Sequence, residues 1–432
     1  VIFCIGSVNC YATTSTGINV NYHSQKEIKD YLKSKKVNID AETTYSKKAS
    51  DVKPYQAGTI SESSQKSALN TMNAIRYIAG IDAVGLDSSY TKMEQAAALV
   101  NSANGTLSHF PSKPAGMDDR LYKLGASGAS SGNLSYASWK CGLGYHLVKA
   151  WMNDGDDYNI DRVGHRRWIL NPPMEKTGFG WVYGSHGTYA AMYAFDNWYE
   201  PTDYYGVAWP AQNMPVEFFG SSYPWSISMG KDVDKSAVKV TLIRQSDQKK
   251  WAFSEKKADG YFNVENSNYG QKGCIIFRPE NLSYQPGDTF EVKITGLDQK
   301  VSYTVNFFSV NSSAESDEKQ KESKITAKNI TKTFSTTTFS INAKTNGKGK
   351  MTYKVADEKI AAVSKKGVVT LKNYGETKIR IRVAASGNYK AAEKTITLTV
   401  KPVKAKTGSL KSTAKGSFAL KWKQDKKATG YI

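Results

Sequence analysis

The stretch that decides the fold is residues 159–180, NIDRVGHRRWILNPPMEKTGFG. It places a histidine, two arginines and a tryptophan in four consecutive positions, residues 165–168, directly before an apolar pair. Asn171 and the two prolines after it are typical of the end of a helix. Beyond them, residues 178–182 (GFGWV) predict a strand whose glycines let another backbone come close. The stretch therefore predicts that a short helix or turn presents His165 just before a buried strand.

Three further motifs precede this stretch. His109 follows a segment with apolar periodicity, the run GNL at residues 132–134 predicts a turn, and WMND at residues 151–154 ends a helical pattern. A lone histidine is more often structural than functional. A second histidine in the same part of the chain, however, favours a functional role for His109 and His165.

This order of motifs resembles the CAP superfamily (cysteine-rich secretory, antigen 5, pathogenesis-related-1) in its bacterial form. Bacterial members carry a histidine, then Gly-Glu-Asn-Ile/Leu, Trp-Met-Asn-Ser, and Gly-His-Arg-x-Asn-Ile-Leu-Asn-Pro followed by Gly-x-Gly. The resemblance covers residues 59–196, and the matching positions are His109, 132–134, 151–154 and 164–172. It implies an α-β-α sandwich with a cleft of two histidines and two glutamates that sometimes holds a divalent metal. Here Gly132 stands at the first glutamate position and Asp154 at the second.

The resemblance implies a metal site formed by His109, Asp154 and His165. Three protein ligands suit an open zinc site, so zinc or another divalent cation is the expected cofactor. The same three residues are the candidates for catalysis if the chain is instead a metal-assisted hydrolase or peptidase. The sequence has no HExxH motif. A third alternative is a structural adhesin with a vestigial cleft, which Gly132 favours and the two retained histidines oppose.

The 432 residues predict two to four domains. Helical patterns at residues 61–79, 88–100 and 135–152 precede strands at 177–183 and 189–195, which indicates the α+β class. Residues after about 200 alternate at period two and predict all-β sandwich domains. The tail resembles a bacterial immunoglobulin-like (BIG-type) module followed by the opening strands of a fibronectin type III module. The expected order is a signal peptide remnant at 1–12, an N-terminal lead at 13–58, a CAP domain at 59–199, a β-sandwich at 200–312, a linker at 313–324, the immunoglobulin-like domain at 325–402 and the truncated fibronectin-like module at 403–432.

The first twelve residues, VIFCIGSVNCYA, read as the apolar core and cleavage region of a secretory signal, with Ala12 as its last residue. No other run is long enough to span a bilayer. Removal of the signal would leave two cysteines, Cys141 and Cys274, for which we predict no disulfide. We therefore expect a secreted protein without a membrane span, associated with the wall of a Gram-positive bacterium.

The net charge of +20 has a distinct location. Residues 324–432 hold 25 Lys and Arg against 5 Asp and Glu, and the rest of the chain holds 34 of each sign. Excess cationic charge on β-modules attracts polyanions. An anionic wall polymer or polysaccharide is the expected partner, and no nucleic-acid motif is present.

Two other groups of residues have alternative interpretations. The acidic run at residues 154–161 has oxygen side chains as a calcium loop does. However, Gly155 is misplaced for an EF-hand, and we favour a helix-capping turn. Trp209, Trp225 and Trp251 suit either a carbohydrate platform or core packing, and we favour the core.

Overall fold

The computed structural model describes residues 15–311, 322–347, 351–383, 392–404 and 407–422. The chain divides into two units, Val1–Asn311 and Ser312–Ile432. The predicted signal segment and most of the predicted linker lie outside the described residues.

All helices of the described residues belong to the first unit. Serine or aspartate side chains cap four of them: Ser24 caps α1, Ser61 caps α2, Asp87 caps α3 and Asp118 caps α4. One face of α2, formed by Ala68, Met72, Ile75 and Ala79 at helical spacing, is buried. The helices are α1 Gln25–Ser34, α2 Glu62–Ala79, α3 Ser88–Asn104, α4 Asp119–Ser131, α5 Leu143–Tyr145, which continues as a π-helix at His146–Trp151, α6 Gly164–Ile169 and a 3₁₀ turn at Val216–Phe218.

A three-stranded antiparallel sheet lies between two helical layers. Its order is β4-β7-β6, and β7 pairs with both neighbours. One face packs on α2 and the π-helix through Phe179, Trp181 and Met192. The other face packs on α3 and α4 through Leu134 and Val182. The strands of this part are β1 Tyr45–Lys47, β2 Thr59–Ile60, β3 Gly85–Leu86, β4 Gly132–Ala137, β5 Lys176–Thr177, β6 Phe179–Gly184 and β7 Gly187–Tyr193.

Two further sheets complete the first unit, with orders β13-β14-β10-β8 and β12-β11-β15-β16-β9. One buried apolar cluster extends from Ile28 in α1 to Phe308 in β16, so the helical part and the sheets share a core. Trp209, Trp225 and Trp251 are 0%, 0% and 4% exposed, which confirms the core interpretation over a carbohydrate platform. The strands are β8 Val207–Trp209, β9 Asn213–Pro215, β10 Trp225–Ser228, β11 Lys239–Arg244, β12 Lys250–Phe253, β13 Gly260–Glu265, β14 Cys274–Pro279, β15 Thr289–Thr295 and β16 Val301–Phe308.

Two buried arginines from α6 connect the helical part to these sheets. Arg166 donates to the carbonyl oxygens of Met152 at 2.8 Å and of Pro224 at 2.6 Å, and to Oγ of Ser226 at 3.0 Å. Arg167 donates to the carbonyl oxygen of Ser267 at 2.6 Å. The arginines of the predicted motif are thus structural links between distant parts of the chain.

Two predicted elements are wrong. The segment 135–152, predicted as one helix, begins inside β4, and its helical part starts only at Leu143. The predicted GNL turn is the start of β4. Helix α4 was not predicted because its glycines look like loop residues. A Cβ on Gly125 would lie 2.6 Å from the carbonyl oxygen of Ala96, so glycine is what lets α4 approach the α3 backbone.

The second unit contains sheets with the orders β18-β25-β24-β21 and β19-β23-β22, whose inner faces share one apolar core. Short runs rich in β-branched residues, such as 351–355, 378–383 and 394–400, form strands of these sheets. The strands are β17 Ile325–Thr326, β18 Ile330–Thr333, β19 Phe339–Ser340, β20 Lys344–Thr345, β21 Met351–Val355, β22 Ala361–Val363, β23 Val368–Leu371, β24 Gly375–Val383, β25 Ala392–Lys401, β26 Thr407–Ala414 and β27 Ser417–Trp422.

The α+β class is confirmed: a helical layer structure precedes strands that continue to the end of the described chain. Among the described residues, no helix combines the length and apolarity needed to cross a bilayer.

We expect Arg166→Met to lower the free energy of unfolding of the first unit by about 3–5 kcal/mol. The change leaves several buried carbonyl oxygens without a donor, and each such group costs about 1–3 kcal/mol. Urea unfolding measures the loss. Arg120→Met on the exposed surface of α4 is the matched control. A change within about 1 kcal/mol, as in the control, would contradict a structural role for Arg166.

Candidate functional site

His165 lies in the first turn of α6 and contacts Asp154. Nδ1 of His165 and Oδ1 of Asp154 are 2.7 Å apart, and the two side chains are 21% and 1% exposed. Because the carboxylate can only accept, Nδ1 carries the proton and donates it. A neutral His165 therefore has its free lone pair on Nε2.

Asp154 is held firmly in this position. Its Oδ2 accepts the backbone N–H of Arg166 at 3.0 Å, and its own backbone has a φ of 48° in the left-handed region. Left-handed backbone at a residue other than glycine costs energy and persists only where the surroundings fix it. Here the fixing contacts are the hydrogen bonds to α6.

Side chains within the acidic turn that leads to His165 hydrogen-bond to one another. Both carboxylate oxygens of Asp156 accept from Nδ2 of Asn159 at 3.0 Å, and Asp161 binds Arg162. The turn also packs on the sheets, since Arg278 donates to the carbonyl oxygen of Gly155 at 2.6 Å. These contacts agree with the capping turn rather than with a calcium loop.

The environment of His165 raises its pKa above the ordinary value of 6.5. Burial alone lowers this pKa, but the charge of Asp154 and its hydrogen bond to Nδ1 outweigh the burial. Because the pKa of His165 is raised in the folded state, protonation of His165 stabilises the fold at pH values below the pKa of the unfolded state. This contribution is lost as the pH rises through the folded pKa.

His109 is exposed and lies in the loop after α3. Its Nδ1 is 2.7 Å from the carbonyl oxygen of Ala129 in α4. A carbonyl oxygen only accepts, so Nδ1 is again the protonated nitrogen and Nε2 carries the lone pair. His109 and His165 thus present the same tautomer.

Both histidines are tied to the junction between α4 and β4. His109 binds Ala129 near the end of α4, and the side-chain amide of Asn133 in β4 donates to the carbonyl oxygen of His165 at 2.9 Å. Asp154 is less suited to be a ligand, because both of its oxygens already accept hydrogen bonds. Within the described ranges, no group of three or more His, Cys, Asp and Glu side chains is arranged to hold a metal ion. Of the predicted ligands, the two imidazoles are therefore the better donors, and a metal at this place stays a prediction.

Sequence reasoning missed Glu94, a buried carboxyl group at the same junction. Glu94 is 0% exposed, and neither of its oxygens has a hydrogen-bond partner among the described residues. Its Oε2 lies 2.6 Å from where a Cβ on Gly132 would be. The glycine that replaces the expected glutamate is therefore packed against a carboxyl group from α3. Burial raises the pKa of Glu94 well above its ordinary value.

A second cluster, Cys141, His146 and Ser135, is part of the core. Sγ of Cys141 is 3.3 Å from Nε2 of His146, and Nδ1 of His146 is 2.9 Å from Oγ of Ser135. Burial lowers the pKa of His146 to about 3 and raises the pKa of the Cys141 thiol. Both groups are therefore neutral at physiological pH, which suits packing better than nucleophilic chemistry. Cys141 and Cys274 are both free thiols.

Residues 69–207 match the model of the cysteine-rich secretory protein family, CAP, so the chain carries a CAP family domain. No curated protein matches the chain.

Solved structures match only in part. A mutant intimin of EHEC O157:H7 is 21% identical over 21% of this chain and 52% of its own, with a TM-score of 0.15. A C-terminal 282-residue intimin fragment, in complex with the translocated intimin receptor's intimin-binding domain, is 19% identical over 43% of this chain and 58% of its own, with a TM-score of 0.15. The S-layer protein rSbsC is 13% identical over 44% and 40%, with a TM-score of 0.16. The chain spans about half the length of these structures, and such scores carry no argument about function.

We expect Asp154→Asn to lower the pKa of His165. The substitution removes the negative charge that raises this pKa and leaves the opposing effect of burial in place. A two-dimensional NMR titration of the imidazole Cε1–H signals measures the shift. The His109 signal is the internal control, since its Nδ1 binds a backbone carbonyl. An unchanged His165 titration would show that Asp154 does not set its proton affinity.

We expect Glu94→Gln to become increasingly stabilising, relative to the natural chain, as the pH rises from 5 to 8. In the natural chain the unfolded carboxyl ionises near pH 4.3 while the folded one stays protonated, so stability falls with pH by up to about 1.4 kcal/mol per unit. Glutamine has no such ionisation. Urea unfolding at several pH values measures the difference, with Glu255→Gln at an exposed position as the control. A difference that stays constant with pH would mean that Glu94 is ionised in the folded state.

Proposed function

We propose that the chain is a secreted, wall-associated protein whose CAP domain binds a divalent cation through His109 and His165. One observation carries this proposal: both imidazoles have Nδ1 bonded to an oxygen acceptor at 2.7 Å. Metal-ligating histidines have this arrangement, because the bond at one nitrogen fixes the ring and leaves the other nitrogen free to bind the metal. Imidazole nitrogens are common zinc ligands, and water or a ligand group would complete the coordination.

In this proposal Asp154 orients His165 and does not bind the cation itself. A carboxylate behind a ligating imidazole fixes its tautomer and raises its basicity, and loss of such a partner weakens metal binding about 10–100-fold. The buried carboxylate of Asp154, which accepts from both His165 and Arg166, matches that role. A bound cation would supply a positively charged centre for an anionic or oxygen-bearing ligand.

The wall association is supported by the charge distribution. Residues 324–432 carry the whole excess of positive charge, whereas the residues before 324 are neutral overall. The second unit would then attach the protein to an anionic polymer, and the CAP domain would present its cleft. Neither the hydrolase nor the vestigial-cleft alternative is favoured by a particular contact, so binding is the function that we propose.

Zinc should raise the unfolding midpoint of the natural chain, because a ligand that binds only the folded state stabilises it by mass action. His109→Ala with His165→Ala should abolish this rise, whereas Asp154→Asn should reduce the zinc affinity about 10–100-fold. Thermal melts and isothermal titration with zinc chloride, after treatment with a chelator, measure both effects.

His186→Ala, which removes a third histidine in the β6–β7 turn, is the matched control and should bind zinc as the natural chain does. A zinc effect that persists in the double alanine variant would locate the metal elsewhere. No zinc effect in the natural chain, together with a large loss of stability in the double variant, would leave the histidines with a structural role only.

A further inference from the structure

The outer face of one sheet in the second unit carries a row of cations. The sheet is β18-β25-β24-β21, and β24 alternates strictly between its two faces. Ile379, Ile381 and Val383 are buried against the core. Lys378 and Arg380, like Arg382 beyond them, are exposed on the opposite face.

Two of the three cations in this row are arginines, which are rare in this part of the chain. Residues 324–432 contain 25 basic side chains, and only Arg380 and Arg382 are arginines. Both lie side by side on one strand face. General attraction of polyanions needs no particular cation, but a planar guanidinium binds two oxygens of one phosphate at once, which lysine does not. The position of the arginines therefore distinguishes this face from the rest of the basic surface.

The neighbouring strands add one cation, one anion and several hydroxyl groups to this face. Lys354 in β21 lies directly opposite Arg380, and like charges in that relation destabilise a sheet. Glu393 pairs with Arg380 at 3.2 Å, but the two side chains remain 46% and 64% exposed. Such an exposed pair is weak and can be exchanged for another anion.

Threonines surround the cations on the same face. Thr395 and Thr397 in β25 lie opposite Arg380 and Lys378, and Thr352 in β21 lies opposite Arg382. Their hydroxyl groups can donate hydrogen bonds to anionic oxygens. A flat face of alternating cations and hydroxyls suits an extended polymer better than a compact ligand.

We propose that a linear polymer with phosphate groups in its backbone binds along β24, with successive phosphates at Lys378, Arg380 and Arg382 and with Lys354 at the side. Outward residues of a strand are about 6.6 Å apart, which gives a regular row of sites for a chain with repeated charges. The proposal rests on the proposed wall association and names the chemistry and the place of that contact.

The experiment measures binding of the full chain to long-chain inorganic polyphosphate in 0.15 M salt. Arg380→Thr with Arg382→Thr should weaken binding about tenfold or more and reduce the slope of log K against log salt by about 1.4, which is two contacts at about 0.7 each. Arg380→Lys with Arg382→Lys should weaken it about threefold, since charge is kept and the paired hydrogen bonds are lost.

The matched control is Lys365→Thr with Lys366→Thr, which removes the same charge from an exposed turn between β22 and β23. It should change the affinity less than about twofold, and thermal melts should show that all variants fold. Equal losses in the control and in the arginine-to-threonine variant would overturn the proposed site while leaving the wall association intact.

Other polymers test the chemistry. Polygalacturonate, a linear polymer of carboxylates, should bind more weakly than polyphosphate and should respond less to arginine-to-lysine changes. Equal binding and equal response would overturn the preference for phosphate. Tighter binding of double-stranded DNA than of polyphosphate would replace the wall polymer by a nucleic acid. No binding of the natural chain to any anionic polymer would refute the proposed wall association itself.

Discussion

The first unit depends on the burial of one guanidinium group. Arg166 is 0% exposed, and its donors reach the carbonyl oxygens of Met152, Asn153 and Pro224. A buried cation is costly unless its donors are satisfied, so these acceptors must stay where they are. Arg166 therefore fixes the end of the π-helix against the start of β10.

The same short helix couples this structural contact to the candidate site. His165 and Arg166 are neighbours, and Asp154 accepts from the side chain of the first and the backbone of the second. The orientation of the imidazole is therefore determined by a segment that the buried guanidinium holds in place. Arg76 contributes from the other side, because it donates to the carbonyl oxygens of Ile169 and Asn171 at the end of α6. Helix α6 has only six residues, and its position comes from these side chains rather than from its own length.

The sequence predicts those features that depend on local patterns. The face of α2, the hairpin of β6 and β7 and the strands of the tail have the expected periodicity. Helix α4 was hidden because Gly125 and Gly128 serve a close contact with α3 that no local pattern records. In the sequence, Glu94 has the pattern of a surface residue of a helix. Its burial follows only from the fold, which places Gly132 beside it. The hydrogen bond between His165 and Asp154 could have been predicted, since both residues were singled out. The acceptors of Arg166 could not, because they lie as far away in sequence as residue 224 and only the fold brings them together.

The shared apolar core of the first unit has a consequence for how such proteins can be divided. The family match ends at residue 207, yet the cluster that buries α1 and α2 continues to Phe308. A fragment cut at the family boundary would expose apolar side chains of the helical layer. It would also remove the carbonyl oxygen of Pro224 from Arg166 and that of Ser267 from Arg167. The smallest piece that can be transferred to another protein, or expressed by itself, is accordingly the whole of Val1–Asn311 after any processing of its start. In this chain the segment that matches the family model is smaller than the unit that folds.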